Sequence, residues 1–228
     1  MILNIAMDIT NLSTEEAQKV VAVHGKFKAR SHDTNIETHF PELDAREGEQ
    51  FEVALIGDSM LERLKTTGAS TRIAQMESMF NAGVGGDKIE NVLYRLGTLG
   101  MMLKLSDRNV KLWVVEIGTN NLKAALKPKE IELYRLLLRT LLKISPSSRI
   151  IACEIFKRKD IDGGHVDGSN RLVRGMIKEV NDPLREERIF WVDAPEVTDE
   201  MLDDHVHLNE QGYKIWDEML YPRIQELL

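Results

Sequence analysis

The sequence predicts a single three-layer αβα domain of the α/β class, built on a five-stranded parallel sheet. Three observations carry this reading: short apolar runs recur five times, helical patterns separate them, and glycine turns follow several of the runs. The runs are almost continuously apolar, as expected of strands covered on both faces. A length of 228 residues suits one hydrophobic core. No repeat with a period of 20 to 50 residues is present, which excludes solenoids and propellers.

The elements follow in order. Ser13-Thr14-Glu15-Glu16 reads as a helix start with a capping box, and the helix runs through Ala17, Val20, Val21 and Val23 to about Ala29. Residues 31–50 are polar, with Pro41 and Gly48, and read as an extended lead-in. Residues 1–50 are therefore expected to form an N-terminal arm and residues 51–228 the α/β domain. Val53–Ile56 is a buried strand stopped by Gly57-Asp58, and Ser59–Leu64 reads as helix. Met79–Asn81 is a weaker strand that meets Gly83, Gly85 and Gly86. Asp87–Leu96 places Ile89, Val92, Leu93 and Leu96 at helical spacing. Leu112–Ile117 is the strongest strand, ended by Gly118. Pro128 opens a helix that reaches Ile144. Arg149–Phe156 is the fourth strand, a helix falls within Asn170–Val180, and Ile189–Val192 is the fifth strand. The last helix starts near Asn209, with Pro222 expected to kink or break it.

Composition narrows the function classes. Apolar residues make up 43% and charged residues 29%, which excludes wholesale disorder. Thirty basic side chains against 37 acidic ones give a formal charge of −7, and the pI is near 5.5. Phosphate recognition needs clustered Lys and Arg, so nucleic acid is not an expected partner. The single cysteine, Cys153, excludes an internal disulfide framework and a multi-cysteine zinc site. Residues 1–11 lack the basic and apolar regions of a secretory leader. The runs Val110–Ile117 and Leu136–Ile144 are too short for about 30 Å of hydrocarbon. A cytoplasmic protein with no integral membrane segment is the expectation.

In an open parallel sheet the ligand sits beyond the carboxyl ends of the strands. Small, polar and titratable residues gather there: Gly57-Asp58-Ser59, Gly83–Asp87, Gly118-Thr119-Asn120-Asn121 and Asp203–His207. Singly, each has a plain explanation. Ser59 could cap a helix, Asn120-Asn121 could be turn chemistry, and Cys153 reads as core. Gly83-x-Gly85 lacks the third glycine of a dinucleotide loop and no P-loop occurs, so no cofactor is expected. Asp203, Asp204, His205 and His207 could hold a divalent metal, but no second cluster supplies further ligands. His24, His32, His39 and His165 read as solvated. Together the groups suit nucleophilic acyl transfer. A serine hydroxyl needs a base, and histidine needs a carboxylate that fixes its tautomer. Asp204 can serve His207 if the segment turns once between them. Backbone N–H groups and an asparagine amide can receive an oxyanion.

These blocks resemble those of the SGNH, or GDSL, hydrolases: Gly57-Asp58-Ser59-Met60, Asn81–Asp87, Gly118–Asn121 and Asp204–Leu208 occur in the family's order. Asn91–Leu96, Val114–Asn121, His207-Leu208 and Gly212-Tyr213 are most similar to the catalytic subunits of intracellular platelet-activating-factor acetylhydrolase. The resemblance implies a flavodoxin-like sheet and a catalytic triad of Ser59, Asp204 and His207. It also implies an oxyanion hole from the Ser59 and Gly86 backbone N–H groups and the Asn120 side chain, and a homodimer. Phe156–Asp160 departs from the more apolar, Pro-containing stretch of the family, and Asn121 stands where many members have Asp. The expected activity is hydrolysis of a short-chain carboxylic ester, an acetyl ester of a lipid or small alcohol. A carbohydrate acetylesterase with the same triad, or a non-catalytic binding protein on the same fold, are the alternatives. The leucines of 128–144 leave more than one apolar face, which suits either a second subunit or a deeply buried helix.

Overall fold

A computed structural model describes residues 9–228. Residues 1–8, most of the segment read above as lacking the features of a secretory leader, lie outside them. Five parallel strands, β1 (Val53–Gly57), β2 (Met79–Gly83), β3 (Leu112–Glu116), β4 (Arg149–Cys153) and β5 (Ile189–Val192), run in the order β2-β1-β3-β4-β5. Chain order reverses between β1 and β3, so the crevice above those two strands is where such a sheet binds ligands.

Side-chain alternation divides the core in two. Ala54, Ile56, Trp113 and Val115 face one layer, with α5 (Ile89–Gly97), α6 (Met101–Ser106), α7 (Pro128–Ile144) and α8 (Gly163–Asn181). Val53, Leu55, Leu112 and Val114 face the other, with α4 (Ser59–Glu62) and α9 (Glu210–Leu227). Both faces are covered, which is why these strands read as unbroken apolar runs. Gly57 pairs with Gly83 on one side and Glu116 on the other. A Cβ at Gly57 would stand 1.8 Å from the Glu116 carbonyl oxygen, so only glycine lets β1 end there.

The N-terminal segment differs from its extended reading. After α1 (Thr14–His24), which starts on the Ser13–Glu16 capping box, come α2 (Ala29–Thr34), a π turn at Asn35–His39 and α3 (Phe40–Ala45). Ile9, Ala17, Val21 and Leu43 are wholly buried in the α5–α7 layer. α1 stops at His24 rather than Ala29, where Gly25 takes an extended backbone. α8 begins at Gly163 instead of near Asn170, capped by Asp162, whose carboxylate accepts the Gly164 N–H at 2.9 Å. α9 continues through Pro222. In α7, Leu133, Leu136, Leu137, Leu138 and Leu141 are all buried within the chain. That observation favours the buried-helix reading of this element. Among the described residues no helix is long and apolar enough to cross a membrane.

Candidate active site

β1 ends on Gly57 and the chain turns at once into α4. Asp58 caps that helix, its Oδ1 accepting the Met60 N–H at 3.0 Å, and Ser59 occupies the first helical position. Two distant elements hold the turn. The Tyr213 hydroxyl of α9 donates to the Met60 carbonyl at 2.8 Å, and the Asn81 amide of β2 donates to the Leu61 carbonyl at 2.8 Å. Ser59 is left 7% exposed.

The loop before α9 brings His207 to this turn. Leu202 and Leu208 form an antiparallel bridge, and the Asp203 N–H donates to the His207 carbonyl at 2.9 Å. Inside this turn Asp204 Oδ1 accepts the N–H groups of Val206 and His207, each at 2.8 Å. The side chain of Asp204 is thereby set toward His207, and Oδ2 lies 2.6 Å from Nδ1. With Nδ1 protonated, Nε2 faces the Ser59 hydroxyl at 2.9 Å. Partial burial disfavours the Asp204 anion, but the His207 side chain and the two backbone donors outweigh it and hold the carboxyl well below the usual range. Asp204 is thus ionised wherever the imidazole could use it.

The glycine turn after β2 closes beside this pair. Val84 N–H donates to the Gly57 carbonyl at 3.2 Å, and Gly86 takes a left-handed conformation at φ 74°. Asn120 donates its amide to the Asp87 carbonyl at 3.0 Å, next to Gly86. Asn121 is turned elsewhere: it accepts from Ile89 N–H at 3.1 Å and donates to Glu90 at 3.0 Å, fastening α5. The divergent stretch 156–160 also braces the rim, because Arg158 donates to both the carbonyl and hydroxyl of Thr119 at 3.1 Å.

Other candidates go to separate partners. Asp203 pairs with Arg63 at 3.4 Å and His205 with Asp160 at 3.9 Å, so the side chains considered for a metal point apart. Cys153 is buried at the end of β4, and burial pushes its thiol up. His39 is not solvated but wholly buried against Phe80, which suppresses its protonation. A cleft of about 420 Å³ lies between Gly25 and the start of α7, away from these groups. None of Ser59, Asp204 and His207 lines it.

Several contributors escaped sequence reasoning. Lys28, from the arm, donates to the Gly85 carbonyl at 2.7 Å and lies 3.3 Å from Asp87. Ser31 hydrogen-bonds the same carboxylate. Arg95 is buried with Asp87 and donates to it at 3.0 Å, to the Ala82 carbonyl at 2.9 Å and to the Gly57 carbonyl at 3.4 Å. Polar residues of a lead-in segment carry no periodic signal that would have revealed this. Glu116 did leave one, as the lone charge in Leu112–Ile117. It sits in the sheet interior against Asp58, and burial drives both carboxyls up, Asp58 to about 7.

Residues 55–215 match the GDSL-like lipase/acylhydrolase family, a span that takes in Ser59, the glycine turn, Asn120 and His207. The chain belongs to this family. It is accordingly an ester hydrolase of the GDSL type. No curated protein matches it. A GDSL-like lipase from Bacteroides thetaiotaomicron is similar in structure, with a TM-score of 0.61 and 14% identity over 86% of this chain and 99% of that one. A family 3 carbohydrate esterase from Talaromyces cellulolyticus has a TM-score of 0.58 and 17% identity, covering 78% of this chain and 98% of its own. A family 3 carbohydrate esterase from Clostridium thermocellum gives 0.55 and 16% over 78% and 98%. At such identities the likeness is one of fold, with the same parallel sheet between helical layers.

Proposed function

We propose that the protein is a serine esterase acting on a short-chain carboxylic ester, an acetyl ester of a lipid or small alcohol. Ser59 is the nucleophile, His207 the general base and Asp204 its orienting partner. The observation that carries this reading is the continuous relay from Ser59 Oγ to Nε2 at 2.9 Å and from Nδ1 to Asp204 at 2.6 Å. His207 takes the hydroxyl proton as Ser59 Oγ attacks the ester carbonyl, then passes it to the departing alcohol oxygen. Water, deprotonated by the same imidazole, attacks the acyl-serine and releases the acid. The Ser59 and Gly86 N–H groups and the Asn120 amide receive the negative charge on the former carbonyl oxygen.

Turnover of p-nitrophenyl esters from acetate to octanoate tests the acyl preference, with the largest kcat/KM expected at acetate. A maximum at octanoate would remove the short-acyl assignment. A fluorophosphonate reagent should label one serine, and peptide mapping should place the adduct on Ser59. Asn120→Ala should lower kcat by about 10²–10³-fold, the usual cost of one oxyanion donor. The carbohydrate esterases among the structural neighbours support a second reading, deacetylation of a sugar by the same groups. Acetate release from acetylated xylan rather than from acetyl lipid would select it. Self-association gains no support from α7, whose leucines are largely buried inside the chain. Light scattering measures it directly.

A further inference from the structure

Directly behind the nucleophile turn lies a polar group that the relay above does not use. Glu116 closes β3, the central strand, and its backbone carbonyl accepts the Asp58 N–H at 3.2 Å. Both residues are wholly buried. Asp58 Oδ1 has a partner in the Met60 N–H, but among the described residues Asp58 Oδ2 and both oxygens of Glu116 meet no donor. Three buried acceptors without a donor would cost several kcal/mol if both groups were ionised. The two residues are nevertheless buried side by side, joined by that backbone hydrogen bond, and each carboxyl perturbs the protonation of the other. A single proton between them converts the clash into a bond.

We propose that Asp58 and Glu116 hold one shared proton, and that Glu116 is thereby a positioning residue for the Ser59 turn. Protonated Glu116 donates to Asp58 Oδ2, which fixes the carboxylate whose Oδ1 holds the Met60 N–H at the start of α4. Loss of the proton frees this cap and places a second negative charge behind the site where the oxyanion develops. Both effects oppose catalysis. The inference rests on Ser59 being the nucleophile.

The surrounding groups leave this proton as the one that departs on the alkaline side. Tyr134 of α7, Cys153 of β4 and Tyr213 of α9 all face the pair, and burial pushes each of them up, so they stay neutral. Asp87, beside the glycine turn, is held by Arg95 and Lys28. Arg158, after β4, is paired with Asp160. Asp58 is driven up to about 7, chiefly by burial, with Asp87 adding to the effect. A general base must be neutral to accept a proton, a requirement separate from this pair.

The sign follows from the direction of the shift. A carboxyl pair raised in the folded protein keeps its proton at and below neutral pH and loses it as pH rises. Wild-type kcat should therefore fall on the alkaline side, once Glu116, which burial and the neighbouring Asp58 hold well above the usual carboxylate range, gives up this proton, approaching tenfold per unit. Glu116→Gln supplies a permanent N–H donor to Asp58, so the alkaline fall should vanish. Glu116→Leu supplies none, and kcat should drop about tenfold at pH 8 with KM within twofold, an effect that the Gln variant reverses. Infrared titration of Ser59→Ala provides a readout independent of activity. The carbonyl stretch of a neutral carboxyl should be present at pH 8, where Asp58 has ionised and Glu116 has not, and be missing at that pH in Ser59→Ala/Glu116→Gln. Superimposable pH profiles for wild type and Glu116→Gln, or an infrared spectrum without that band at pH 8, would overturn the proposal. An active Ser59→Ala would instead overturn the nucleophile assignment and leave the infrared result standing.

Discussion

Replacing Ser59 by Ala should lower kcat by at least about 10⁴-fold on any ester the wild type cleaves, while leaving the fold intact. In other hydrolases built on this chemistry, removing the nucleophile costs as much as removing the whole triad. A loss of that size corresponds to about 5.5 kcal/mol of transition-state stabilisation. The structural cost is small by comparison. Ser59 is largely buried, but its side chain is short and its hydroxyl meets His207. The caps and ties around it belong to other residues, namely Asp58, Tyr213 and Asn81. The thermal midpoint should therefore move by no more than a few degrees. Initial rates and a melting curve on the same preparation check both halves. Retention of more than a tenth of wild-type turnover would remove Ser59 from its role.

Arg95→Met should produce the largest loss of stability of any single substitution considered. The guanidinium and the Asp87 carboxylate are both fully buried, with Nε and Oδ2 3.0 Å apart. Removing one partner of a buried pair leaves the other charge without compensation, at a cost of about 3–5 kcal/mol. Lys28, 3.3 Å away, can replace part of that compensation because it is less deeply buried. The remaining donors of Arg95 serve the Ala82 and Gly57 carbonyls, so the ends of β1 and β2 loosen together. For a chain of this size the melting temperature should fall by about 6–20 °C. Arg95→Met combined with Asp87→Asn should recover part of the loss, since no buried charge is then stranded. A double variant less stable than the sum of the single ones would show that the pair does not act as a unit.

Much of this was legible in the sequence, for reasons visible in particular residues. Val53–Ile56 and Leu112–Val115 are covered on both faces, so burial wrote itself into unbroken apolar runs. Asp204 and His207 stand three apart, and the turn that joins them is made by the same carboxylate that orients the imidazole. Spacing and chemistry coincided, and the pair could be nominated. The segment 29–45 failed because its helices are short and one is a π turn, so few side chains recur at helical spacing. The short helix α6, Met101–Ser106, was missed because an apolar six-residue stretch has no period to measure. Glu116 was visible as an anomaly, but its partner across the strands depends on register. Register is a property of the sheet and not of either strand alone.

The tether from Lys28 to Gly85 joins residues 57 positions apart, and the contact between Ser59 and His207 joins residues 148 apart. Such a site cannot mature locally. During refolding, helices can form in microseconds from their own neighbours, whereas parallel strands must first close long loops. The glycine turn gains its ties to Lys28 and Arg95 only after β1, β2 and the arm have met. Regain of turnover in refolding is therefore expected to wait on these long-range contacts, and activity recovery followed beside the helical circular-dichroism signal measures the interval.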